Sequence, residues 1–128
     1  MSNFKRKLIE ALLIIFTTEK TIQHFLSALF FLVDIQGIGK PDTGPMFHPS
    51  YEVMAMLNFI LLGAFILGLL GKIKHTKWAL KLIGSSAALD ILLEIIFHGF
   101  FYITVSVIIS TLLIIVIIII QRARAILE

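Results

Sequence analysis

Asp90, Glu94 and His98 recur at four-residue spacing inside an otherwise apolar run. On a helix, residues i and i+4 share a face, so the three form one stripe. It climbs about 12 Å, at roughly 1.5 Å per residue. A charge in hydrocarbon costs at least ~2.5 kcal/mol on insertion scales, so such a stripe faces protein or water. Carboxylates and an imidazole so placed suit a divalent metal ion (zinc, iron or manganese) or a proton. His48 and Glu52 repeat the spacing in reverse order. The Glu-x-x-His pair of di-metal bundles is absent. His24 and His98 differ in depth by about 15 Å, which argues against a shared haem iron.

The elements that must position these groups are long and apolar. Of 128 residues 59% are apolar and only 15% charged, and most charges flank the apolar segments. About 20 apolar residues cross a ~30 Å hydrocarbon core, and four such segments use up nearly the whole chain. The expected fold is therefore an all-α integral membrane four-helix bundle. It forms a single transmembrane domain over 1–128, with spans near 19–36, 50–70, 78–98 and 100–120.

Two readings fit residues 4–36. One is a single long tilted helix. The other is a short interfacial N-terminal helix over 4–16, a break at Thr17 and Thr18, and a span from Glu19. The second is preferred, because it leaves Glu19 and Lys20 near a headgroup layer. A cleaved signal is not expected, since Thr17-Thr18-Glu19-Lys20 follows the first apolar run where a small-residue cleavage site would stand.

Ala64 with Gly68, and Gly84 with Ala88, form small-xxx-small pairs that predict close packing of the second and third spans. The isoleucine-rich run over 114–120 reads as a lipid-facing wall. Lys5, Arg6, Lys7, Lys72, Lys74, Lys77, Arg122 and Arg124 fall at the termini and in the 71–77 loop, while the 37–50 loop carries only Lys40. The positive-inside rule then places both termini in the cytoplasm of a multi-pass cell-membrane protein.

That topology gathers Glu52, Asp90, Glu94 and His98 at the outer third of the bundle, with Asp34 and His48 at its rim, as a candidate metal set. Gln23, His24 and Ser27 extend a polar track inward, and Asn58 lies near the depth of Asp90. Simpler accounts exist for each group. Glu52 and His98 near an interface can be hydrated, Asp34 and His48 can be loop-edge residues, and Asp90 or Glu94 can pair with a neighbouring helix. Asp90 and Glu94 lie deepest and are hardest to explain by hydration.

Cysteine is absent, which excludes disulfide, thiol and iron–sulfur chemistry. The formal charge of +3 does not point to nucleic acid, because the basic residues sit at headgroup depth. No His-Glu-x-x-His, Gly-x-Ser-x-Gly or phosphate-binding loop occurs, so no catalytic residue can be named. The leading expectation is a transport or binding module whose outward-facing carboxylate–His site binds a cation or relays protons. The alternatives are a membrane-embedded metal-dependent enzyme or redox subunit, and a structural subunit of a larger membrane complex. The expected partners are the lipid bilayer and, because four spans are few for an aqueous path, further copies of the chain or other subunits.

Overall fold

Leu13, Thr17, Lys20, His24, Ala28 and Phe31 are the buried residues of the first helix. Their spacing of three and four traces one face of a continuous α-helix. The computed structural model describes residues 2–32, 50–98 and 105–127. Within them lie four helices and no strand: α1 Asn3–Leu32, α2 Tyr51–Ile73, α3 Ala79–His98 and α4 Val105–Leu127.

The unbroken course of α1 corrects the preferred two-part reading of residues 4–36. Thr17 and Thr21 do not interrupt the helix, because each hydroxyl donates to a carbonyl one turn back, Thr17 to Leu13 at 2.6 Å and Thr21 to Thr17 at 2.9 Å. Lys20 does not need a headgroup layer either. It is fully buried among partners from two other helices.

Each helix packs against two neighbours, in the ring α1–α2–α3–α4–α1. Pairings at the helix ends make every contact antiparallel. Glu10 near the start of α1 meets Lys72 near the end of α2 at 2.7 Å. Gly68 of α2 meets Ile83 of α3, and Gly84 of α3 meets Ile117 of α4. A Cβ on Gly68 would come within 2.5 Å of Ile83 Cγ1, so this glycine is what lets α2 and α3 approach.

Two expectations about packing change. Gly84 faces α4 and not α2, its nearest potential contact being Ile117 Cδ1 at 3.6 Å. The 114–120 run is not a uniform outer wall: Val116, Ile117 and Ile120 are buried, whereas Ile115, Ile118 and Ile119 are exposed. A helix made only of isoleucine still has an inner face, and composition alone does not mark it.

The core centres on Leu13, Leu61, Phe65, Ile83, Leu113 and Ile117. Large apolar side chains also cover the outside of every helix, including Ile15, Ile60, Leu92 and Ile115. Among the described residues, two segments, Tyr51–Ile73 and Val105–Ala123, are long and apolar enough to cross a membrane.

Helix ends are locally specified. Ser50 caps α2, its Oγ accepting from Val53 N at 3.3 Å, and Glu52 adds a favourable negative charge to the first turn. At the other end, Thr76 N–H bonds Gly71 C=O and His75 N–H bonds Lys72 C=O. This is a Schellman closure, with His75 in the left-handed position at φ 58°.

Candidate functional site

A lysine buried in an apolar bundle must have all three ammonium protons engaged, or the charge would not stay there. Lys20 Nζ meets this demand. It lies 2.7 Å from Asp90 Oδ2, 2.7 Å from Ser106 C=O, 2.8 Å from Ser106 Oγ and 3.0 Å from Gln23 Oε1. The two charged side chains are 0% and 4% exposed, which makes this an interior ion pair between α1 and α3.

The hydroxyls of α4 complete the cage. Ser106 Oγ donates to Asp90 Oδ2 at 3.1 Å while accepting from Lys20 and from Gln23 Nε2. Ser110 Oγ donates to the same Asp90 oxygen at 2.7 Å. Ser106 and Ser110 stand one turn apart, so both point at a single carboxylate from one face of α4. Asp90 Oδ2 thus accepts three hydrogen bonds.

The other oxygen, Oδ1, faces His24 Nε2 at 3.3 Å, without the alignment of a well-formed hydrogen bond. His24 is buried, and its ring stacks on Phe65 with centroids 5.6 Å apart. Its Nδ1 lies 2.8 Å from Asn58 Oδ1. Asn58 Nδ2 donates to Met54 C=O at 2.8 Å, and a carbonyl can only accept. The amide orientation is thereby fixed, Asn58 presents its oxygen to the ring, and Nδ1 of His24 carries a hydrogen. Nε2 is left pointing at Asp90.

Beside this cluster lies a partly open cavity of about 150 Å³, bordered by His24, Ser27, Asn58, Asp90 and Glu94. It has room for several waters and polar groups to bond them. It sits in the half of the bundle formed by the end of α1, the start of α2 and the end of α3. The other half is closed by the apolar core around Leu13, Phe65, Ile83 and Ile117.

The residues picked from sequence are distributed as follows. Asp90 is the centre of the cluster and Glu94 is half-buried at the cavity wall, so the inward stripe on α3 is present for these two. Glu52 is exposed in a shallow groove with Leu32, Ala55, Met56 and Phe59, away from Asp90. His98 ends α3; its side chain, Asp34 and His48 lie outside the described residues. Among the described residues no three His, Asp or Glu side chains are grouped to hold a metal ion. Gln23, His24, Ser27 and Asn58 take the places expected of an inward polar track.

Lys20, Ser106 and Ser110 were not anticipated. The signal was present in the spacing Thr17, Lys20, His24 on α1 and Ser106, Ser110 on α4, which repeats the helical period of the core face. No protein-family model matches the chain, and no curated protein or solved structure matches it.

Proposed function

We propose that the chain is a four-helix integral membrane protein, with both termini cytoplasmic, that binds an exchangeable proton between His24 and Asp90 and passes it on within a transport assembly. The observation carrying this reading is the edge where His24 Nε2 faces Asp90 Oδ1 at 3.3 Å. With Nδ1 committed to Asn58, a neutral ring would aim a lone pair at a carboxylate oxygen. A proton on Nε2 turns that repulsion into a charge-assisted hydrogen bond. Lys20 already balances one carboxylate charge, so this proton is additional to the ion pair and free to leave.

The membrane assignment draws support from the apolar exterior of all four helices and from the basic residues at one end of the bundle. The cavity beside Glu94 lies in the half of the bundle away from those basic residues, next to the proposed proton site. A proton reaching Asp90 goes no further through the dry core until the helices shift, and that gating step suits an assembly of several copies. A proton fits the site better than a metal ion, because the Lys20 ammonium occupies the coordination space on Oδ2.

The test is an imposed pH step across vesicles with an entrapped pH-sensitive dye. Vesicles carrying the wild-type protein should dissipate the step faster than empty ones, and His24→Gln should return the rate to that of empty vesicles. Equal rates for wild type and His24→Gln would remove the proton reading. Thermal stabilisation by zinc or manganese that depends on Glu94 would restore the metal reading in its place.

A further inference from the structure

A second, larger cavity of about 740 Å³ lies at the end of the bundle opposite the proton cluster, between the start of α1 and the ends of α2 and α4. Its size falls in the range of roughly 300–1,000 Å³ typical of small-molecule sites. Its rim carries Arg6, Lys7 and His75, all exposed, and its wall is apolar, with Ile14, Ile73 and Ile120. Glu10 also lines it, but the Lys72 ammonium at 2.7 Å neutralises that carboxylate. The remaining charge is positive. We infer that this groove binds one anionic phospholipid, its phosphate on Arg6, Lys7 and His75 and an acyl chain along Ile14, Ile73 and Ile120.

Two independent features favour an occupant that is both anionic and apolar. A free phosphate needs no groove of this size and no isoleucine wall, whereas a lipid uses both. Basic pockets between helices at the cytoplasmic face are the kind of site that takes lipid headgroups. Trp78, half exposed in the same loop region, suits headgroup depth. His75 supplies the second feature. It occupies the left-handed position of the α2 closure, where glycine is the usual residue and a side chain is strained. An imidazole there is a local loss that brings a third polar group to the groove rim.

The inference rests on the membrane part of the proposed function and not on the proton. The experiment is lipid retention, read by native mass spectrometry of the full chain in neutral detergent with equal phosphatidylglycerol and phosphatidylcholine. Phosphatidylglycerol should be retained in preference. Arg6→Gln and Lys7→Gln should each weaken that retention roughly fivefold, about one surface cation's worth of attraction. Lys5→Gln, the same charge loss one residue outside the groove, should leave it unchanged. Ala123→Trp, which fills the groove from α4, should lower retention of both lipids. His75→Gly should weaken retention while raising the melting temperature.

Equal retention of the two lipids overturns the proposal, as does a Lys5→Gln effect equal to that of Arg6→Gln. Displacement by millimolar inorganic phosphate alone would reduce the site to a simple anion contact and overturn it too. His24→Gln should keep its lipid, so loss of the proton reading and loss of the groove are separate results. Release of the chain from membranes by an alkaline wash would end the membrane reading itself.

Discussion

Lys20→Met should lower the stability of the bundle by about 3–5 kcal/mol, the usual consequence of leaving one member of a buried ion pair without the other. Asp90 would keep Ser106 and Ser110 but lose the Lys20 ammonium. Asp90→Asn should cost a similar amount by stranding the ammonium. The double variant Lys20→Met/Asp90→Asn should recover much of the loss, since neither charge then needs compensation. Denaturant or thermal unfolding of the four proteins gives the coupling directly. Additive losses would mean that the two side chains act independently and that the ion pair is not what holds α1 to α3.

Phe65→Ala is the second large effect. Phe65 is fully buried in the core and forms the surface on which His24 stacks. Truncating a buried phenylalanine removes contacts and leaves a cavity, at about 3–5 kcal/mol in water-soluble proteins. A loss of at least about 3 kcal/mol is expected here, since the ring is fully buried and its neighbours belong to the packed core. Ile66→Ala, at the adjacent exposed position, should change stability by less than about 0.5 kcal/mol. A Phe65→Ala protein as stable as Ile66→Ala would show that α2 does not pack as described.

The sequence made the helices easy to find and the partners hard. Apolar segments separated by glycine, proline and lysine mark α2, α3 and α4, whereas the polar stretch over residues 17–20 suggests a break that α1 does not have. Asp90 and Glu94 stand out because acidic groups in such surroundings need a reason. What the linear pattern hides is pairing. Lys20 looks like an interfacial residue next to Glu19, and only the unbroken course of α1 carries it into the interior. Ser106 and Ser110 carry no charge and vanish among isoleucines, although one turn of separation aims both at Asp90. Glu52 illustrates the reverse. Its depth follows from topology, but the rotation of α2 turns it outward and brings Asn58 inward.

Rotation also explains Gly84. A small-residue motif shows that a close neighbour is expected, and does not say which one. Gly68 and Gly84 lie on adjacent helices, yet one receives Ile83 of α3 and the other Ile117 of α4.

The central claim concerns one proton on one edge of one imidazole. Nitrogen NMR of histidine-labelled protein, with His24 assigned by the His24→Gln variant, reads both ring nitrogens separately. The account predicts that Nδ1 of His24 remains protonated throughout a pH titration, held by Asn58, while Nε2 alone responds as the shared proton is lost. In Asp90→Asn that response should change, because the negative charge that faces Nε2 across the edge is gone. A His24 ring with Nδ1 bare, or one whose Nε2 signal is indifferent to both pH and the Asp90→Asn substitution, would contradict it.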